Sequence, residues 1–178
     1  LGCGTGLLGL LLLQRQGNLT VTGVELQPEA AALLERASAE NGLEGRLTVC
    51  RGDLRNIRAL LPAGGFDLVV CNPPYYPAGT GKLSPAPALQ TARAETACTL
   101  KDVCRAAGWL LRWGGAFCLV HKPERLTDLL CALRAAALEP KRLRTVERRA
   151  GDAPSLILAE ARRGGRPGLS RSEERRVG

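Results

Sequence analysis

A glycine cluster that runs without a break into a leucine-rich stretch limits what this chain can fold into more than any other segment. Residues Leu1-Gly2-Cys3-Gly4-Thr5-Gly6 are followed by Leu7-Leu8-Gly9-Leu10-Leu11-Leu12-Leu13. Glycine admits positive φ and close backbone approach, and a helix that starts at such a turn aims its unpaired N–H groups at a ligand. A strand over Leu19–Val24 comes next and ends at Glu25, 19 residues after Gly6 (25 − 6). That separation is close to the ~20 residues between a glycine turn and the carboxylate that grips ribose hydroxyls in a βαβ unit. A further strand, Arg46–Cys50, leads into Gly52-Asp53-Leu54, where Asp53 can accept from an adenine amino group. The spacing is G-x-G-x-G and not G-x-G-x-x-G, so the pyrophosphate fingerprint is unmet, and a glycine cluster alone is shared with nicotinamide enzymes.

The second informative segment is Asn72-Pro73-Pro74-Tyr75, directly after the apolar run Phe66-Asp67-Leu68-Val69-Val70-Cys71. It places an amide, a rigid carbonyl and an aromatic face at the end of a buried strand. Each proline locks φ and donates no N–H. Asn72 Oδ1 and the Pro73 carbonyl can then accept both hydrogens of an exocyclic amino group, which localises a lone pair otherwise spread into a π system. Tyr75 can stack on the ring that carries it. A plain proline-rich turn is the structural alternative for this segment taken alone.

Helix over Pro28–Asn41 is predicted from its periodicity, its leading proline and the Asn41-Gly42 stop. A short helix over Leu54–Leu61, a strand over Phe66–Cys71 and a Gly/Pro/Ser-rich loop over Pro77–Gln90 follow. A long helix from about Thr91 or Ala94 to Arg112 precedes a strand over Ala116–His121 and a helix from Pro123 to about Ala137. Lys141–Arg149 and Ser155–Ala161 read as an antiparallel pair. Alternating strands and helices imply an α/β fold, a mostly parallel sheet with helices on both faces. The length of 178 residues suits one domain, placed at residues 1–162, with residues 163–178 as a basic, disordered tail.

The seven cysteines are odd in number and form no C-x-x-C pair, and His121 is the only histidine. This excludes a disulfide framework and leaves a zinc site or His-based nucleophile almost no ligands, which implies a reducing, cytoplasmic setting and no metal. No apolar run reaches ~18 residues, so no membrane span is expected. The sequence holds no methionine and opens inside the glycine loop, so the expectation is a piece of a longer protein whose first strand lies upstream. The net charge of +8 is concentrated late: residues 134–149 and 162–178 each carry six Lys/Arg against two Glu. A basic surplus of this kind suits a polyanion, against the alternative of solvated arginine.

With the glycine loop, Glu25, Asp53 and Asn-Pro-Pro-Tyr in this order, the chain resembles Rossmann-like class I S-adenosylmethionine-dependent methyltransferases of the amino-methylating branch. Further segments are similar to the bacterial tRNA1(Val) adenine-N6 methyltransferase family. They include Val21–Glu25, Asn72–Tyr76, Ser84–Glu95, Leu119-Val120-His121-Lys122-Pro123-Glu124-Arg125-Leu126 and Leu138-Glu139-Pro140-Lys141-Arg142-Leu143-Arg144, and the likeness ends at Leu169. The resemblance implies methyl transfer from S-adenosyl-L-methionine to N6 of an anticodon-loop adenine in tRNA. It implies catalytic roles for Asn72, Pro73 and Tyr75, and cofactor contacts from Gly2, Gly4, Gly6, Glu25, Asp53, Leu54 and Asn72. Ala94 stands where the family's Ala-Arg-His-Glu block has histidine, and the family's acidic residue before Leu1 is absent.

The chemistry is displacement at an already activated sulfonium methyl, so positioning outweighs acid–base catalysis. A loop base costs less to extrude than a duplex base. The same Asn-Pro-Pro-Tyr motif would also serve protein glutamine-N5 methylation, with ribosomal RNA guanine-N2 and DNA adenine enzymes next. From a different class, a non-catalytic cofactor- or RNA-binding module also fits.

Overall fold

The structure is a computed structural model of residues 1–178, and it describes residues 1–73, 98–149 and 151–175. Pro74, Tyr75, the loop Pro77–Gln90 and Ala94 lie outside the described residues. The chain divides into two compact units, Leu1–Pro62 and Ala63–Gly178.

In the first unit, α1 (Leu7–Arg15) starts at Gly6, whose φ of 84° ends the glycine turn. Strand β1 (Val21–Glu25) pairs in parallel with β2 (Leu47–Arg51), and α2 (Pro28–Glu40) makes the crossover between them. Proline at the first helical position and Gly42 at φ 61° bound α2, close to the predicted span. Leu13, Leu34 and Leu47 form the buried core, with Cys3, Leu10, Leu19, Val21, Leu43 and Val49 packed on it. Arg46 fastens the C-terminal end of α1: its guanidinium donates to the carbonyls of Leu13 (3.2 Å), Gln16 (2.8 Å) and Leu19 (3.2 Å). Those donations satisfy carbonyls that a helix end leaves unpaired. The predicted short helix is a 3-10 turn, Leu54–Asn56, leading into α3 (Ile57–Leu60).

The second unit is built on a five-stranded sheet in the order β3-β4-β6-β5-β7. These strands are β3 (Phe66–Cys71), β4 (Leu111–His121), β5 (Leu138–Glu147), β6 (Leu156–Arg163) and β7 (Ser170–Arg175). The sheet is mixed: β3–β4 and β5–β7 are parallel, whereas β4–β6 and β5–β6 are antiparallel. The antiparallel C-terminal pair therefore stands as expected, with shifted limits: β5 begins at Leu138 and ends at Glu147, and β6 runs from Leu156 to Arg163. Helix α4 (Leu100–Leu110) opens with a capping box, Thr99 accepting from the Asp102 N–H while Asp102 accepts from Thr99. Helix α5 (Leu126–Ala135) follows a 3-10 turn at Pro123–Arg125.

Two expectations for this unit are corrected. The helix assigned as far as Arg112 ends at Leu110, and β4 already begins at Leu111. The sheet register jumps from Phe66↔Leu111 to Leu68↔Ala116, so Arg112–Gly115 bulge out of the ladder at Gly114, φ 77°. The other correction is the tail. Ser170–Arg175 is not an unpaired end but strand β7, parallel to β5 from Arg142↔Ser170 to Glu147↔Arg175. Backbone groups along the edge of β5 are satisfied by any partner chain that can extend, which needs no hydrophobic period in the added strand.

Candidate active site

The glycine turn, Glu25 and Asp53 form one cluster in the first unit. Gly2, Gly4 and Gly6 all hold left-handed φ values, 57°, 53° and 84°. Cys3 N–H donates to the Val24 carbonyl at 3.1 Å, which ties the turn to the end of β1. The Glu25 side chain, 7% exposed, completes the tie: Oε2 accepts the Gly4 N–H at 2.6 Å and Oε1 accepts the Gln27 N–H at 3.0 Å. The Glu25 carbonyl accepts the Gly52 N–H at 2.8 Å, which brings Asp53 beside the same strand end. Asp53 Oδ1 caps the following 3-10 turn through the Arg55 N–H at 2.8 Å, and Oδ2 accepts Arg55 Nε at 2.8 Å.

The glycines differ in what surrounds them, and the difference outlines a cradle. A Cβ on Gly6 would lie 2.2 Å from Leu34 Cδ1, so that position has no room for any side chain. A Cβ on Gly2 or Gly4 would meet nothing within 4 Å. Their bare backbone borders open space next to a buried carboxylate and a helix N-terminus. Each Glu25 oxygen keeps a lone pair beyond the bond it accepts, so the carboxylate can still receive hydroxyl donors. Leu54, partly buried, opens the 3-10 turn that Asp53 caps.

In the second unit, Asn72 follows the last residue of β3 and is exposed, while Pro73 is buried. The register Cys71↔Leu119 seats them at the C-terminal end of the parallel pair β3–β4, where ligand-binding residues of open α/β sheets collect. Burial pushes the Cys71 thiol up to about 11 and the Cys104 thiol to about 12, so both are inert core groups. His121, 2% exposed, has its pKa lowered, chiefly by burial. Among the described residues no cluster of three or more His, Cys, Asp or Glu could hold a metal ion, and no helix is long and apolar enough to cross a membrane.

The sequence reading missed the partners that shape these groups. Gln27 clamps Glu25 through its backbone, which no residue type signals. Arg55 holds Asp53, and here the Asp-x-Arg spacing at a helix start was a usable sign.

Comparison with known proteins adds the family. Residues 1–133 match the model of the methyltransferase small domain. A tRNA1(Val) (adenine(37)-N6)-methyltransferase of Porphyromonas gingivalis is 32% identical over 91% of this chain and 64% of its own length. The enzyme of the same name from Aeromonas salmonicida is 30% identical over 98% of this chain and 70% of its own. The chain thus spans about 64% of the length of the first of these curated relatives. Among solved structures, a predicted O-methyltransferase from Agrobacterium tumefaciens superposes with a TM-score of 0.77 at 22% identity, over 97% of this chain and 76% of that one. This likeness shows a shared α/β fold.

Proposed function

Because this chain belongs to the methyltransferase small domain family, among relatives named for tRNA1(Val) adenine methylation, we propose that it transfers a methyl group from S-adenosyl-L-methionine to N6 of an adenine in tRNA. The observation that carries the cofactor half is the open glycine cradle closed on Glu25. Gly2 and Gly4 border the methionine end of the cofactor, Gly6 starts the helix behind it, Glu25 receives the ribose hydroxyls, and Asp53 with Leu54 flanks the adenine. When bound, the cofactor supplies a methyl group already activated by a sulfonium centre.

Asn72 and Pro73 do the rest by positioning. Asn72 Oδ1 and the Pro73 carbonyl accept the two hydrogens of the adenine amino group and turn its lone pair toward the methyl carbon. No side chain has to remove a proton first: as the new N–C bond forms, the sulfonium S–C bond breaks with its electron pair left on sulfur, and the amino proton, acidic only then, passes to solvent. Orientation of this kind supplies much of the barrier reduction in a displacement reaction. Tyr75 is assigned the stacking role on the base, and the anticodon loop is the favoured source of that base because a loop base costs less to extrude than one in a duplex.

The test is transfer of labelled methyl from S-adenosyl-L-methionine to total tRNA, a release factor and duplex DNA in parallel. Label in tRNA, recovered as N6-methyladenosine, is the expected result. Label in the release factor alone would replace this reading with glutamine methylation.

A further inference from the structure

The two acids of the cofactor cluster are held by different means. Glu25 is clamped by backbone donors, the N–H groups of Gly4 and Gln27. For Asp53, three bonds come from a single residue, Arg55. Its N–H donates to Oδ1 at 2.8 Å, its Nε donates to Oδ2 at 2.8 Å, and its Nη2 donates to the same Oδ2. The turn beneath them is fixed independently of that side chain. Asn56 N–H donates to the Asp53 carbonyl at 2.8 Å, and Ile57 is buried. A Cβ on Gly52 would lie 2.7 Å from Leu60 Cδ1, so the entry to the turn is packed as well.

The Arg55 side chain therefore adds something other than the shape of the turn. A single bond to Oδ1 lets Oδ2 swing about the Cβ–Cγ axis. The guanidinium is planar, and two of its donors meeting on Oδ2 set the plane of the carboxylate. The pair lies near the surface, with side chains 42% and 19% exposed, where an ion pair contributes little to folding. Its weight falls on orientation instead. An ionised carboxylate accepts and never donates, so it favours a ligand edge that carries hydrogens. A purine with an amino group at position 6 has that edge, and one with hydrogen there lacks it.

We propose that Arg55 is a positioning residue that sets base specificity in the cofactor site, fixing the Asp53 carboxylate as the acceptor for the adenine amino group. The inference rests on the reading in which Asp53 flanks the cofactor's adenine, and it adds what makes Asp53 discriminate. An acceptor already held in place loses no further rotamer freedom when the ligand binds. When the amino group is missing, Arg55 and solvent still satisfy the carboxylate. The preference is therefore about 10–100-fold, the weight of one hydrogen bond to a charged group, and not the far larger rejection of a sealed polar pocket.

The experiment is calorimetric titration with S-adenosyl-L-homocysteine and with its 6-deamino analogue, in which hydrogen replaces the adenine amino group. The proteins are wild type, Arg55→Ala and Arg55→Lys. Arg55→Ala keeps the backbone N–H on Oδ1 and removes only the guanidinium. It should weaken the adenosyl ligand by about 10-fold and leave the 6-deamino analogue within about twofold, so that the preference collapses. Arg55→Lys keeps the charge without the planar fork and should recover only part of the preference. If Arg55→Ala weakens both ligands equally, Arg55 merely supports the turn and the proposal is wrong. Full recovery in Arg55→Lys would refute it too, since charge alone would then suffice. If the wild type binds both ligands equally, Asp53 does not read the amino group, and the proposal falls while cofactor binding stands. If the wild type binds neither, the cofactor reading falls and takes the proposal with it. If the preference collapses as expected but no methyl reaches RNA, the Arg55 assignment stands and the RNA reading falls.

Discussion

Replacing Glu25 by glutamine changes one atom type at a site where two half-buried backbone donors converge on a buried carboxylate. In the native chain each carboxylate oxygen accepts one N–H, from Gly4 at 2.6 Å and from Gln27 at 3.0 Å, and the residue is 7% exposed. An amide offers one acceptor oxygen and one NH2, so one of those N–H groups must face another donor. A buried donor left without a partner costs about 1–3 kcal/mol. Glu25→Gln is therefore expected to lower stability by about 2 kcal/mol, and Glu25→Ala, which orphans both donors, by about 3–4 kcal/mol. The cofactor should register the same loss, because the glycine turn it needs is no longer held in shape. A cost of about 2 kcal/mol corresponds to roughly 30-fold in Kd. Urea unfolding gives the stability change and calorimetric titration with S-adenosyl-L-methionine gives the affinity. If Glu25→Gln keeps the wild-type urea midpoint and binds the cofactor within about twofold, Glu25 does not clamp the turn and this reasoning fails.

Gly6→Ala combines a left-handed residue, φ 84°, with a Cβ 2.2 Å from Leu34 Cδ1, and should cost about 2–5 kcal/mol; thermal unfolding checks this, and adding Leu34→Ala should restore part of the loss. Asn72→Ala should lower the single-turnover methylation rate by on the order of 10²-fold while leaving cofactor Kd nearly unchanged, and an equal rate in both proteins would remove Asn72 from the chemistry. The pH dependence carries a sign set by His121. Burial lowers its pKa below the ordinary 6.5, so in that region the unfolded chain binds more protons than the folded one. Its stabilising contribution is complete above about pH 6.5 and is lost as pH falls toward the folded pKa. Urea midpoints should therefore decline less steeply below that pH in His121→Asn than in wild type, and parallel profiles would show that the imidazole does not titrate with folding.

Much of this protein was legible before any coordinates, and the legible parts share a cause. Glycines at left-handed φ, proline at a helix start and an Asn-Gly stop act within a few residues, so the turn before α1 and both limits of α2 were readable from their own neighbours. The period of apolar residues located β3 to the residue, and the order of strand ends placed Glu25 beside the glycine turn. Tertiary structure decided what depends on a partner distant in sequence. Ser170–Arg175 has no pattern of its own and became a strand only because β5 offered an edge. The predicted helix lost Leu111 and Arg112 to β4, and Arg112–Gly115 bulge because the ladder with β3 reaches back to Leu111. The basic surplus late in the chain was visible in the sequence, but only cross-strand register set Arg142 opposite Glu160. Local backbone preference is written in adjacent residues, whereas pairing and register are collective and follow from which edges and faces are left to satisfy.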